Sequence, residues 1–470
     1  MNLLDALKRE SVRKAAVTEN GMPAHTSSTD ACLDLFGTLG SARGWEEKHI
    51  LGAFTRALAE DPLLAMKILF WARDIRKGAG ERRVFRVCLD YLNNNHREYL
   101  DKNIHLVPEF GRWDDLFELN NDLVLFEIKK ALENKNGLVS KWLHRKGAFA
   151  NKVRNALGLT PKAYRKLIVG LSNTVEQLMC AGEWDKIEYS HVPSQAMLKY
   201  RTAFFKHDSE RFQEFLDNVK AGKTKINAGA MFPYQLYDAV ASAHNVNSVG
   251  AVEAQWAALP NFLEGSMERV LPVCDVSGSM LNTAYGSVTP MSVSISLGLY
   301  ISERNLSIFK DAFITFSTKP SIQYLKGNLV SRCLQLRKAH WEMNTDLEAT
   351  FKMLLNAATK NQVAPEDMPT MLLIISDMQF DRCVNKPKAA ATEMIRKMYK
   401  KAGYNVPKLV FWNVNARIDQ MPVLADEGNT AIVSGCSPSI LKSVLSGEVL
   451  DPVRLMLKTV NSERYAEITI

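Results

Sequence analysis

Apolar residues recur at helical spacing through roughly the first 260 positions and in short strand-like runs after that. Asp61-Pro62 supplies an N-cap and a first-turn proline ahead of Leu63, Met66, Leu69, Phe70 and Ala72. Val84, Cys88 and Leu89 continue the period over 81–91. Thr160-Pro161 opens another helix, leading into Tyr164, Leu167 and Ile168, and further stretches cover 174–180, 194–205 and 211–220. At the N-terminus Leu3, Leu4 and Leu7 share one side of an amphipathic helix. Strand patterns are almost absent before position 260. The helices are of similar length, as in a solenoid, although no clean sequence period accompanies them.

After a boundary near 260–266 the pattern changes. Apolar, β-branched or aromatic runs stand at 270–274, 311–317, 371–375, 408–414 and 430–433, with Pro272 interrupting the first. Helical segments at 291–303, 347–358, 389–401 and 439–444 alternate with them, and 321–325 reads as an antiparallel edge strand. The fold class is α + α/β: a helical-repeat domain over 1–263, then a doubly wound parallel sheet over 264–470.

A chain of 470 residues, 46% hydrophobic and 23% charged, has the balance of a globular protein with large cores. Its seven cysteines are scattered without a CxxC pair, which predicts neither a disulfide framework nor a zinc knuckle and favours a reducing compartment. No run approaches the ~20 apolar residues of a membrane span, and the N-terminus is a poor secretory signal, so a cytoplasmic location is expected. The formal net charge of +8 matters only where it clusters.

The first strand of the second half ends in Asp275-Val276-Ser277-Gly278-Ser279. Ligands sit at the carboxyl ends of strands in open α/β sheets. One carboxylate and two hydroxyls on a tight turn there suit Mg²⁺ or Mn²⁺ rather than a soft metal. Alone, the same string reads as an Asx/Ser turn. Asn344-Thr345-Asp346 before a helix and Ser376-Asp377 after the most apolar strand add oxygen donors, while Asp346 itself reads as a helix N-terminal acid.

This combination resembles the von Willebrand factor A family and its metal-ion-dependent adhesion site. The resemblance implies that Asp275, Ser277, Ser279, Thr345 and Asp377 hold the cation, some through water, with a vacant position for a partner's carboxylate.

The stretch 71–86 (WARDIRKGAGERRVFR) carries Arg73, Arg76, Lys77, Arg82, Arg83 and Arg86 around Gly78-Ala79-Gly80. Two helices meeting at a glycine turn would present a positive surface to phosphates; the plainer reading is a solvated face paired with nearby acids. Together with 111–115 (GRWDD), 192–194 (VPS) and 203–208 (AFFKHD), it resembles the TROVE module of the Ro autoantigen family, a ring of HEAT-like helical repeats joined to a von Willebrand A domain. That resemblance implies a monomeric ring that binds small non-coding or single-stranded RNA, with the arginine-rich turn, Arg112, Lys206 and His207 as candidate contacts. Trp113 beside Arg112 can stack on bases, but a tryptophan at a helix start next to two aspartates more often anchors a core. Lys141, His144, Arg145, Lys146, Lys152 and Arg154 form a second basic stretch that reads as a solvated linker.

No nucleophile triad, P-loop, HExxH or GxGxxG in a strand–helix context is present, so no enzyme is expected. The leading expectation is a non-catalytic, RNA-binding scaffold with a metal site for an acidic partner. The alternatives are a metal-dependent assembly module without RNA and a metal-dependent hydrolase using Asp275 and Asp377.

Overall fold

The computed structural model describes residues 15–241, 249–282, 288–316, 319–337, 346–381, 391–446 and 450–470. The amphipathic segment with Leu3, Leu4 and Leu7 lies outside them.

The second half is a six-stranded sheet of β3 (Val270–Asp275), β4 (Ala312–Phe316), β5 (Ser321–Tyr324), β6 (Met371–Ser376), β7 (Lys408–Asn413) and β8 (Thr430–Ser434), in the order β5-β4-β3-β6-β7-β8. Only β5 is antiparallel to its neighbour. Every residue of β3, β6 and β8 is buried, as a parallel sheet covered on both faces requires, whereas β5 alternates as an edge strand does. Pro272 does not end β3: it pairs in register with Leu373 and forfeits one ladder hydrogen bond. The Pro290–Arg304 helix packs on β3 and β4, and the Leu347–Lys360 and Ala391–Ala402 helices pack on each other. Asp346 is the N-cap of Leu347–Lys360, accepting from Ala349 N at 2.7 Å.

The first half is helical, with Asp61 and Thr160 capping the helices that their Asp-Pro and Thr-Pro pairs announce. One element departs from the sequence reading: a short hairpin of β1 (Ala15–Val17) and β2 (Pro23–His25) precedes the helices. Three-residue strands are too short to leave an alternation in the sequence. Bridges from Gly21 to Asp381 and from His25 to Met421 lay this hairpin on loops of the sheet domain.

The halves share a core. The Ala31–Leu39 helix packs on β8, where Gly37 lies against Ile432 and Gly40 N donates to Ser434 Oγ at 3.1 Å. The Pro233–Ala241 helix packs on Pro290–Arg304. The C-terminus returns to the helices, where Asn103 exchanges hydrogen bonds with the Thr469 backbone at 2.7 and 3.1 Å. A smaller second core around Tyr189, Phe204, Phe212 and Phe215 lies under the helices of 175–220. Among the described residues no helix is long and apolar enough to cross a membrane.

The Gly78-Ala79-Gly80 break is where helical and sheet halves meet. Gly78 O accepts from Ser439 Oγ at 3.2 Å, Ala79 lies against Gly435, and Gly80, at φ +72°, lies against Phe232. A Cβ on Gly78 would sit 1.9 Å from Trp71 O. Gly78→Ala is therefore expected to cost about 3 kcal/mol or more through backbone displacement. Gly170→Ala, in an open helical position, should be neutral or stabilising by up to about 1 kcal/mol. Urea unfolding of the two variants checks this.

Candidate metal site and the basic clusters

The register that sets Cys274 beside Ile375 brings the ends of β3 and β6 together. Asp275 is fully buried there. Its Oδ2 accepts from Ser376 Oγ at 2.5 Å and its Oδ1 from Ser277 N at 2.9 Å. Ser376 Oγ in turn accepts from Met378 N at 2.9 Å, which holds the next loop. A 3₁₀ turn, Gly278–Leu281, follows, and the Ser277 and Ser279 hydroxyls lie 3.1 Å apart. Met378 has φ +65°, a costly conformation for an unbranched bulky residue, immediately after Asp377.

Thus Asp275, Ser277, Ser279 and Asp377 converge from two loops. Thr345 lies outside the described residues. Asp377 is fully buried, its Oδ1 accepts from Gln379 N at 3.2 Å, and its Oδ2 accepts no hydrogen bond. The cation facing that oxygen is Arg417, with Nη2 at 3.6 Å, beyond hydrogen-bond reach. Burial, reinforced by the Asp377 charge, pushes the Asp275 carboxyl well up. Burial also raises Asp377, opposed by Arg417. Among the described residues no three His, Cys, Asp or Glu side chains form a metal-holding group.

Sequence reasoning did not anticipate the wall of this site. The β1–β2 turn lies over it: Glu19 N donates to Gln379 Oε1 and Asn20 Nδ2 to Gln379 O, each at 2.8 Å. Gln379 Nε2 reaches Gln420 Oε1 at 2.5 Å, and Arg417 faces Glu19 as well as Asp377, both at 3.6 Å. The contacts of Glu19 and Asn20 join residues about 360 or more positions apart in sequence, so no local signal marks them.

The basic stretch around the glycine break is largely committed to structure. Arg73 is buried and paired with Asp115 at 2.7 Å, which corrects its reading as an RNA contact: no phosphate can reach it. Arg86 binds Asp114 and Asp115 at 2.9 and 2.8 Å. Arg112 pairs with Asp114 at 3.0 Å and lies over Trp142, 4.1 Å from the ring centroid. Arg83 donates to the Arg43 and Trp45 carbonyls, and Arg76 to the Glu109 carbonyl. Asp74 receives Arg464 at 2.9 Å. The two aspartates of 111–115 therefore clamp three arginines, and Trp113 is a core residue, 8% exposed. Arg76, Lys77 and Arg82 remain exposed, as do Lys206 and His207, the latter stacked on Trp184 at 4.4 Å.

In the second basic stretch Lys141 lies on the helix Gly137–Trp142 and Lys152 and Arg154 on Ala148–Ala156, with His144, Arg145 and Lys146 in the loop between them, and the helix Pro161–Ser172 follows. From 134 to 175 there are nine lysines and arginines and no aspartate or glutamate, so this segment alone exceeds the net charge of the chain. Eight of the nine are exposed, Arg154 being half-buried.

A helical half shares its core with a doubly wound sheet, and oxygen-bearing side chains gather at that sheet's carboxyl edge. The chain belongs to the family described as domain of unknown function DUF2828, matched over residues 18–155 and 148–266. A second domain of unknown function, DUF7788, matches 269–467. The chain is similar to uncharacterized protein L728 of Acanthamoeba polyphaga mimivirus, 28% identical over 502 aligned positions covering 94% of this chain and 86% of that one. Among solved structures it is similar to the Deinococcus radiodurans Ro (RSR) protein, with 12% identity and a TM-score of 0.39 over 90% of this chain and all of that one.

Two predictions follow from the charges. Folding raises the Asp275 and Asp377 pKa values, so in EDTA the folded state binds more protons than the unfolded one and loses stability as pH climbs above the ordinary aspartate range, about 4. Melting temperature in EDTA should fall between about pH 5 and 7.5 and fall less in Asp377→Asn. Arg73→Ala should cost about 3–5 kcal/mol of stability, by stranding buried Asp115, as read by urea unfolding.

Proposed function

We propose that this protein is a non-catalytic RNA-binding scaffold of Ro type with a Mg²⁺-dependent recognition site. The observation that carries the reading is the buried Asp377 Oδ2, which accepts no hydrogen bond and has Arg417 Nη2 standing off at 3.6 Å, on the loop after the strand beside the one that ends in Asp275. A buried carboxylate oxygen left without a donor is costly, and a hard cation offsets that cost. Asp275, Ser277, Ser279 and Asp377 would hold Mg²⁺ or Mn²⁺, with Thr345 as the further ligand implied by the resemblance to von Willebrand A domains. When bound, the ion supplies a Lewis-acidic position for a carboxylate from an acidic partner. The chain's own part is to preset the oxygens: Ser376 orients Asp275, and the left-handed Met378 turns Asp377 inward.

The RNA half of the reading rests on the acid-free basic helices of 134–175, not on the glycine break. Phosphate binding needs closely spaced exposed cations and no base-specific geometry. Exposed Arg76, Lys77 and Arg82 and the pair Lys206 and His207 are secondary contacts. The alternative, an assembly module without RNA, draws on the internal pairing of Arg73, Arg86 and Arg112.

Calorimetric titration of EDTA-stripped protein with Mn²⁺ should give one saturable site, weakened at least tenfold in Asp377→Ala; equal affinity in the variant contradicts the site. For RNA, Lys146→Glu/Arg165→Glu/Lys166→Glu should weaken filter binding of single-stranded RNA at least tenfold and flatten its salt dependence. A loss of about 0.7 in log–log slope is expected per phosphate contact removed. Unchanged RNA binding in the triple variant overturns the 134–175 contact, and no RNA binding by the wild type leaves the assembly-module reading.

A further inference from the structure

Between the Ala31–Leu39 helix, the Glu47–Glu60 helix and the 417–421 loop lies a cavity of about 230 Å³. Lys48, His49, Arg56 and Arg417 line it, with Trp45 and Thr38. Lys48, Gly52 and Arg56 succeed one another at four-residue intervals on one helix face. Gly52 stands mid-helix, where glycine weakens the helix relative to alanine. Packing does not demand it: a Cβ there would meet nothing closer than Arg56 Nη1 at 3.8 Å. Its effect is to leave the floor of the cavity open between two cations.

Two buried nitrogens at this cavity make no hydrogen bond, His49 Nδ1 and Arg417 Nε. Arg417 Nε is a donor, and His49 Nδ1 is one in the Nδ1–H tautomer or the imidazolium. Buried polar atoms in folded proteins are nearly always paired, so donors left open around a cavity point to an acceptor that fits there.

Glu19 and Asp377 face Arg417 at 3.6 Å from outside the cavity, and the acids lining it leave Lys48, His49 and Arg56 unmatched. Asp34 already accepts from Ser27 Oγ at 2.5 Å and Ser28 N at 2.7 Å, and burial pushes its carboxyl up. Asp419 is exposed, and Lys48 meets Glu46 only on the open surface, where both side chains are about 70% exposed. Convergent donors, cations and an aromatic wall in so small a volume suit an oxyanion carried on a small body.

We propose that this cavity is a binding site for a compact phosphorylated small molecule. Its phosphate lies among Arg56, His49, Lys48 and Arg417, and its apolar body rests toward Trp45. Arg417 also faces Asp377, so the cavity and the carboxylates at the sheet edge share one cation. The site is independent of the RNA reading, since none of its residues belongs to the 134–175 face.

Calorimetric titration of the full chain with inorganic phosphate, at ionic strength held constant with chloride, tests it. Wild-type protein should show one saturable site. Arg56→Gln removes an exposed cation, and Gly52→Leu fills the floor; each should weaken phosphate binding at least tenfold, with circular dichroism unchanged for Arg56→Gln. Absence of saturable binding in wild type, or wild-type affinity in Arg56→Gln, overturns the proposal.

Discussion

Two carboxylates buried at the ends of adjacent strands constrain this molecule more than any other interaction. Asp275 and Asp377 leave water at the carboxyl edge of the sheet, and burying like charges side by side is unfavourable unless something compensates them. Much of the local structure compensates. Ser376 and the Ser277 amide donate to Asp275, the Gln379 amide donates to Asp377, and Arg417 stands off at 3.6 Å. The hairpin at the start of the chain closes over the same edge and ties Gln379 in place. The carboxyl edge is thus one of the places where the two halves of the chain meet.

A second use of ion pairing explains why the arginine-rich stretch is not what its composition suggests. Asp114 and Asp115 draw Arg73, Arg86 and Arg112 into one cluster, and Asp74 draws Arg464 from the far end of the chain. These arginines fasten helices to one another and to the sheet half. Charge free to attract a polyanion survives instead where acids are missing altogether, on the helices of 134–175.

The sheet half was legible because its strands are buried on both faces and so read as unbroken apolar runs, and because the oxygen donors follow those runs directly. Helix starts at Asp61-Pro62 and Thr160-Pro161 were legible for the same local reason. What escaped was long-range. A run of arginines does not reveal its partners: Asp115 is 42 positions from Arg73, and Arg464 is 390 from Asp74. The β1–β2 hairpin was too short to show an alternation, and its placement over Asp377 depends on contacts that cross nearly the whole chain. The segment 141–154 looked like a linker because its polar residues mask the few apolar anchors, Val139, Leu143, Ala150 and Val153, that bury its helices.

The central claim is that Asp275, Ser277, Ser279 and Asp377 together grip a hard divalent cation. Anomalous diffraction from crystals grown with Mn²⁺ tests it most directly. The account predicts a single strong manganese peak within about 2.5 Å of side-chain oxygens from both loops. Ordered density for Asp275 and Asp377 with no anomalous peak between them, under saturating Mn²⁺, would contradict it.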